Sequence, residues 1–245
     1  LAFSKRINGV NIFGGIHRGF TPPSSGALKI LNFGEGLENS GLDLDSERSW
    51  NKEFGVRGSS NLIDYEFAGF HIDIVNLVAA GRGTAFKNLG KVTTQGLELR
   101  TSLLFSNIIS LLPDVDISYA FLSTEVKDAN VISNMSGTYG SEVSINGKEL
   151  PYSPDHTLTV GLEYNSSKKM NLRADFRYVS EVYTDFENIE ETDNIGVSGP
   201  IPSYSIFNVS GNYRLGDQLQ IFFSGKNIMD EIYIGSRLHS NPGQK

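Results

Sequence analysis

Two alternating segments joined by a two-residue link constrain this chain more than any other feature of its sequence. Residues 203–215 and 218–230 flank Gly216 and Asp217. One parity of the first segment is apolar and the other is polar, namely Phe207, Val209, Tyr213 and Leu215 against Asn208, Ser210, Asn212 and Arg214. Because successive side chains of a β-strand point to opposite faces, the pair predicts a hairpin with one apolar face. That face could cover a protein core or contact lipid.

The same period-two pattern recurs along the chain and predicts nine strands of roughly 9–13 residues each. Strands of soluble proteins are most often about 5–6 residues long, whereas a tilted transmembrane strand needs about 9–11. The apolar positions of the other seven predicted strands, one strand to a group and in chain order, are Val10, Ile12 and Ile16; Trp50, Phe54 and Val56; Phe70, Ile72 and Ile74; Leu97, Leu99 and Leu103; Val115, Ile117, Tyr119 and Phe121; Leu158, Val160, Leu162 and Tyr164; and Met170, Leu172, Ala174, Phe176 and Tyr178.

The connections between these strands alternate in length. Short turns are expected near 59–61, 165–168 and 216–217, with a moderate one near 107–113. Long polar links are expected at 21–45, 77–91, 127–154 and 185–202. Short turns at one rim and long loops at the other are typical of outer-membrane barrels.

Five arginines help to choose the face that contacts lipid. An arginine on the lipid face near the membrane midplane costs about 2–4 kcal/mol. All five fall on the polar parity, and they are Arg57, Arg100, Arg173, Arg177 and Arg214. This favours lipid contact for the apolar parity, with Lys52 as its main charged exception. A soluble β-sandwich or propeller, whose strands also alternate, is the alternative interpretation.

Composition and motifs exclude several classes of function. The chain has no cysteine, so it has no disulfide and no thiolate chemistry. Its formal net charge of −7 argues against a nucleic-acid partner. There is no run of 18 apolar residues, no metal-ligand spacing among the four histidines, and no nucleophile elbow, so we expect no enzyme, no cofactor and no bound metal. Acidic segments around 43–47 and 185–193 could hold calcium, but a solvated loop is the favoured interpretation.

Several motifs together resemble the C-terminal part of the β-barrel of TonB-dependent outer-membrane receptors, in particular ferric dicitrate and ferric siderophore receptors. The signature Asn227, Asp230 and Tyr233 is similar to the penultimate strand of that family. Residues 11–23 resemble a strand that rises to a Gly-Phe-x-x-Pro loop, and residues 47–57 the strand that descends from it. Residues 151–158 resemble a Pro-x-x-Pro-x-His strand entry. Gly90, with Gly96 and Glu98, resembles a further descending strand.

The resemblance implies an all-β fold: an antiparallel transmembrane barrel of 22 strands, plugged by a separate N-terminal domain. Residues 1–245 would then hold about nine consecutive strands, and the plug, the earlier strands and the final strand would lie outside the chain. It also implies a bacterial outer-membrane receptor for a ferric siderophore or ferric citrate, energised by the TonB–ExbB–ExbD complex through the plug. Cobalamin, an oligosaccharide or another metal complex is the alternative cargo.

Ligand contacts are expected at the rim that carries the long loops. Arginine offers a rigid fork of donors for anionic, oxygen-rich chelates, and aromatic rings offer flat contacts. The candidates are His17 and Arg18 at the top of the first strand, Arg82 and Tyr139 in the loops, and Arg237 near the end of the chain. Aromatic residues near the strand ends, such as Trp50, are expected at the membrane interface instead.

Overall fold

The chain folds around one large antiparallel sheet. The computed structural model describes residues 1–23, 44–80, 86–133, 138, 140–166, 169–192 and 199–237, with the backbone alone at 79–80 and 86–87. The sheet has ten strands, and each is hydrogen-bonded to the strands that precede and follow it in the sheet's chain order. Two further short strands form a separate hairpin. None of the described residues forms a helix long and apolar enough to cross a membrane.

The large sheet consists of β1 (Ala2–Ile7), β2 (Val10–Thr21), β3 (Glu47–Ser59), β4 (Ile63–Ala80), β5 (Phe86–Leu103), β6 (Asp114–Asp128), β9 (His156–Ser166), β10 (Met170–Val179), β11 (Tyr204–Arg214) and β12 (Gln220–Gly225). The separate hairpin consists of β7 (Asn130–Ile132) and β8 (Glu142–Ser144). A 3₁₀ turn at Phe105–Asn107 follows β5.

The nine predicted strands are confirmed, and the structure adds β1 in front of them. β1 joins β2 through Asn8 and Gly9, whose φ angles of 48° and 88° suit a two-residue hairpin turn. Lys5 interrupts the apolar parity of Phe3 and Ile7, which explains why alternation alone did not indicate this strand. The last strand is shorter than expected, because β12 ends at Gly225 and not at residue 230.

Connection lengths follow the predicted alternation, with one correction. The expected long link at 77–91 is wrong, since β4 continues to Ala80 and β5 begins at Phe86. Leu77 pairs with Leu89, and both pack in an apolar cluster that stabilises this extension of the ladder. Asn76, at φ 60°, interrupts the pairing between the Val75–Lys91 and Leu77–Leu89 pairs. We call the end of the sheet with the short turns the turn end and the opposite end the loop end.

The strand register defines two faces. Directly paired residues of antiparallel strands share a face, and one such row runs through Arg57, Glu66, Arg100, Ser118, Thr159 and Arg177. By the same parity, Arg173 and Arg214 lie on this face, which we call the arginine face. Trp50, Phe54 and Val56 lie on the other face, which we call the tryptophan face. The prediction that the five arginines share a face is therefore confirmed.

One strand departs from the predicted orientation. Phe70, Ile72 and Ile74 of β4 were expected on the apolar parity, but they pair with Glu53, Asn51 and Ser49 and so lie on the arginine face. His71 and Asp73 consequently lie on the tryptophan face. The physical reason is that Ile74 packs against an apolar cluster on the arginine face, so apolar residues are favoured there as well.

That apolar cluster forms at the loop end of the arginine face. Val92 and Val126 pair directly on the sheet and are 0% exposed, and Leu89 and Ile145 are each 1% exposed. Val131 of β7 completes the cluster from above, so the β7–β8 hairpin folds back over the sheet. Burying each such side chain contributes about 1.5–3 kcal/mol. The link between β6 and β9 is thereby held against the sheet.

Neighbouring strands are staggered along the tryptophan face. One row of paired residues begins at Val10, the first residue of β2 at the turn end, and reaches Phe207, close to the loop end of β11. The row passes through Gly58, Tyr65, Thr101, Ile117, Val160 and Phe176. Strands that tilt relative to a barrel axis require such a stagger in register. The sheet therefore has the geometry of a barrel wall.

Candidate functional site

Charged side chains form a ladder across the arginine face toward the turn end. Arg57 Nη1 lies 3.6 Å from Glu66 Oε2, and Arg100 is the next cross-strand partner of Glu66. Arg57 also stacks over the ring of Phe13, at 5.3 Å from its centroid. Arg57, Glu66 and Arg100 line an open cavity of about 530 Å³. The cavity presents guanidinium groups of the kind that bind carboxylate or other anionic oxygens.

A second charged group lies further along the same face. Arg173 donates from Nε to Asp175 Oδ1 at 2.9 Å, and its Nη1 lies 3.6 Å from Glu163 Oε2. Asn171 donates to the same Glu163 at 3.3 Å. An arginine held by two carboxylates is fixed in position and already neutralised. This group therefore orders the wall more than it offers a vacant anion site.

At the loop end, Asn188 clamps two connections together. Its Oδ1 accepts from the Glu149 backbone N–H at 2.7 Å, and its Nδ2 donates to the Glu149 carbonyl at 3.1 Å and the Asp185 carbonyl at 3.2 Å. Ser133 donates to Glu187 Oε2 at 2.7 Å across the same junction. The β6–β9 link and the β10–β11 link thus form one layer above the arginine face.

Negative charge concentrates in this layer. Burial, with Asp155 nearby, raises the pKa of Glu149 above its ordinary value. Burial also raises the pKa of the Tyr183 hydroxyl, with additional effects from Glu190 and Glu149. An anionic ligand would be repelled at this part of the layer, so cationic or aromatic groups elsewhere on the rim have to bind it.

The structure separates the two candidates at the top of β2. His17 pairs with Asn51 and lies, exposed, on the arginine face. Arg18 pairs with Trp50 on the tryptophan face, with its guanidinium carbon 5.9 Å from the centroid of the Trp50 ring. The two side chains therefore do not act on one ligand from the same face.

The remaining loop candidates have mixed outcomes. Arg237 donates from Nη2 to the Pro200 carbonyl at 2.7 Å and so ties the segment after β12 to the β10–β11 link. Arg82 and Tyr139 lie outside the described residues. Sequence reasoning did not single out Asn188, although a φ angle of 50° makes asparagine a favoured residue there.

The three signature residues shape the turn after β12. The Asn227 backbone N–H donates to Asn208 Oδ1 at 2.9 Å, and its side chain bonds both backbone groups of Glu231. Asp230 takes a φ angle of 53°, and its N–H donates to the Asn227 carbonyl. Tyr233 then stacks on Tyr204, with the ring centroids 4.6 Å apart. The signature thus fixes a bend and returns the chain to β11.

The arrangement of the two faces supports ligand binding. Among the side chains that the structure places, no three His, Asp or Glu residues are grouped so as to hold a metal ion. The two faces of the sheet provide a charged wall with a covering layer on one side and aromatic and aliphatic groups on the other. Such a wall can line a path for a polar ligand through an apolar surrounding.

Comparison with known proteins gives consistent results. The model of the family described as "TonB dependent receptor-like, beta-barrel" matches residues 4–228. The catecholate siderophore receptor Fiu of Escherichia coli (strain UTI89 / UPEC) is 20% identical over 220 residues, which cover 88% of this chain and 26% of that protein. The chain thus spans about a quarter of the length of the curated relatives it matches.

Solved structures show the same fold. The siderophore receptor PiuA from Acinetobacter baumannii superposes with a TM-score of 0.71 at 18% identity, over 95% of this chain and 31% of that one. The unliganded ferric citrate transporter FecA superposes with a TM-score of 0.70 at 20% identity, over 98% of this chain and 34% of that one. At these identities the likeness concerns the fold of the wall.

Proposed function

The chain belongs to the TonB-dependent receptor β-barrel family, whose model matches most of its length, and on that premise we propose that it forms part of the wall of an outer-membrane receptor for a ferric chelate. Members of this family are outer-membrane β-barrel transport receptors and not enzymes. The cargo we propose is a ferric siderophore or ferric citrate. Uptake would be energised by the TonB–ExbB–ExbD complex through a plug domain.

The observation that carries the proposal is the separation of the two faces. The arginine face carries Arg57 of β3 and Arg100 of β5 in register on either side of Glu66 of β4, while the tryptophan face of β9–β12 is predominantly apolar. In a barrel, this arrangement puts guanidinium groups in the lumen and apolar groups against lipid. A sandwich would instead bury the tryptophan face, yet Trp50, Phe54 and Phe223 are 51%, 57% and 48% exposed.

We propose that residues 1–245 are a C-terminal part of a 22-stranded barrel. In support, the chain covers about a third of each solved receptor chain it superposes on, and its sheet is staggered as a barrel wall requires. The plug, the earlier strands and the final strand would be supplied by the rest of the protein. The unpaired outer edges of β1 and β12 would bond to those strands.

For ligand binding we propose the loop-end rim of the lumen. His17 lies at that end of the arginine face, and Arg237 is bonded to the β10–β11 link at the same end of the sheet. Arg82 and Tyr139 complete the proposed set from the loops. Arg18 is left out of the set, because its guanidinium lies over Trp50 on the tryptophan face.

The experiment is uptake of iron by cells that depend on the full-length protein containing this chain. We expect uptake of a ⁵⁵Fe-labelled catecholate or citrate chelate that stops when TonB is deleted. The double variant His17→Ala with Arg237→Ala should weaken chelate binding without reducing the amount of receptor in the outer membrane. Normal growth of a receptor deletion strain on every ferric chelate tested would overturn the proposal.

A second cargo is favoured by one comparison. The copper transporter OprC superposes with a TM-score of 0.69 over 95% of this chain. The same fold therefore occurs in a protein described as a copper transporter. Restoration of copper-dependent growth, but not iron-dependent growth, by the full-length protein would favour this alternative.

A further inference from the structure

An ionic cluster lies on the tryptophan face, toward the loop end of β3–β5. Asp73 is at its centre, with Lys52 Nζ at 3.6 Å, His71 Nε2 at 3.3 Å and Lys91 Nζ at 3.9 Å from its carboxylate oxygens. Thr93 Oγ1 lies 3.3 Å from Asp73 Oδ1. These contacts bring together three strands on the face that the family's barrels turn toward lipid.

The cluster has an excess of positive charge, and its charged lysine groups lie on the outside, away from the sheet. The lysine side chains are 52% and 51% exposed, while that of Asp73 is 27% exposed, so the cations lie outermost. Arg18 belongs to the same region, because it pairs with Trp50 and Trp50 pairs with Asp73. One carboxylate thus serves two lysines and a histidine. Glu125, also on this face, is already paired with Lys127 at 2.5 Å.

An apolar groove lies directly beside the cluster. It has a volume of about 610 Å³ and is lined by Ile16, Phe54, Gly69, Leu97 and Phe121, with Lys52 and His71 at its rim. Gly69 lies between Phe54 and Leu97 in the register and has no side chain to fill the space. The groove is therefore a slot of exposed hydrocarbon that ends at a group of cations.

We propose that this surface binds one phosphorylated lipid of the leaflet at the loop end. Its phosphate would contact Lys52, Lys91 and Arg18, and one acyl chain would lie in the groove over Gly69. The exposed cations favour an anionic group. The adjoining apolar groove favours a hydrocarbon chain attached to that group. The proposal requires the family's outer-membrane setting and is independent of the cargo.

A protein partner fits this surface less well. Cations and hydrocarbon are separated along the strand direction as the head and tail of a lipid are, because the row of Phe54, Gly69 and Leu97 lies closer to the turn end than the row of Lys52 and His71. Within the strands, Asp73 would act as an internal counterion when no phosphate is bound. Phosphate and the Asp73 carboxylate would then compete for the same two lysines.

The sharpest test compares lipids with and without the phosphate. The full-length protein containing this chain would be purified in detergent and titrated with dioleoyl phosphatidic acid, with binding measured by native mass spectrometry. Two comparison ligands separate the contributions of head and tail. Dioleoylglycerol has the same acyl chains without the phosphate, and inorganic phosphate has no acyl chain. We expect binding of phosphatidic acid alone. Equal binding of dioleoylglycerol would refute the role of the cations, and equal binding of inorganic phosphate would refute the role of the groove.

Three variants act in different directions. Lys52→Gln with Lys91→Gln should weaken phosphatidic acid binding about tenfold or more, since each lysine near a lipid phosphate contributes about a factor of five. Asp73→Asn should tighten it several-fold by releasing the lysines. Gly69→Leu should weaken binding by filling the groove, since a Cβ there would meet the end of the Leu97 side chain at 3.2 Å and the Gly96 carbonyl oxygen at 3.8 Å and is accommodated by a small shift of Leu97.

Lys5→Gln is the matched control, because Lys5 is an exposed lysine on the tryptophan face at the turn end. It should leave binding unchanged. If Asp73→Asn weakened binding, or if Lys5→Gln weakened it as much as the double variant, the cluster would be a structural ion network and the proposal would be wrong. The Asp73 and lysine variants keep the test decisive if Gly69→Leu fails to fold.

Discussion

The arginine face has opposite chemistry at its two ends, although the same strands form both. At the turn end, Glu66 and Arg100 pair across β4 and β5 and remain open to solvent. At the loop end, Ile74 and Val92 pair across the same two strands, and Val92 is 0% exposed. The difference is the β7–β8 hairpin, which covers one end and leaves the other open. Alternation in a strand specifies that two faces differ, and a loop far along the chain decides what each level of a face contacts.

The largest expected effect comes from truncating the covered end. Leu89→Ala should destabilise the hairpin layer by about 2–5 kcal/mol, because it leaves a cavity in a fully buried cluster. The measurement is the free energy of local opening of β7 and β8 from hydrogen exchange. The control is Leu162→Ala on the tryptophan face of β9, where the side chain is 43% exposed and should leave hairpin protection unchanged. Equal effects of both variants would remove the distinction between the two levels.

Next in size is the loss of the clamp between the two links. Asn188→Ala removes three hydrogen bonds and places a Cβ-bearing residue at a φ angle of 50°, so we expect a loss of about 1–3 kcal/mol in layer stability. Asn188→Gly also lacks the amide but tolerates that φ, and should recover about 1 kcal/mol of the loss. Hydrogen exchange at the Glu149 amide measures both. Full protection in the alanine variant would show that the apolar cluster alone holds the layer.

A smaller effect is expected from pH. The pKa of Glu149 in the folded layer is raised, chiefly by burial and then by Asp155, so the folded state holds this proton more tightly than the unfolded state does. Stability of the layer should therefore fall as pH rises from the ordinary value near 4.5 through the raised folded pKa. Hydrogen exchange, corrected for its intrinsic pH dependence, should show this fall, and Glu149→Gln should flatten it. An unchanged slope in that variant would assign the effect to another group.

The smallest effect is expected at the open end. Glu66→Gln should change the stability of the sheet by less than about 1 kcal/mol, because the side chains of Arg57 and Glu66 are 57% and 42% exposed and solvent screens their attraction. Thermal unfolding of the full-length protein at low and high salt measures this. A loss comparable to that of Leu89→Ala would mean that the ladder, and not the covered cluster, stabilises this face.

Much of the fold was predictable from sequence because its governing period is local. Alternation identified nine strands, and the cost of arginine in lipid assigned the five arginines to one face before any pairing was known. β1 was not predicted because Lys5 interrupts its short apolar pattern. The face on which Phe70, Ile72 and Ile74 lie was not predicted correctly. The residues that cover β4 there are more than fifty positions later in the chain, and periodicity contains no information about such contacts.

The candidate site was less predictable for the same reason. His17 and Arg18 are adjacent in sequence, and adjacency in a strand places them on opposite faces. Alternation alone therefore separates the two side chains, and the register decides which of them lies on the arginine face. Lys52 stood out in the sequence as a charge on the wrong parity, but its significance depends on Asp73 and Lys91, which only strand pairing brings beside it.

The order of the ten strands has a consequence for how such walls evolve and assemble. Each strand of the large sheet bonds to its neighbours in the chain order of that sheet, and the extra hairpin lies outside the ladder. Duplicating or deleting one pair of adjacent strands would therefore change the circumference of a closed wall without rethreading any other segment. The same order lets the wall be laid down one hairpin at a time, with each new strand templated by the preceding one.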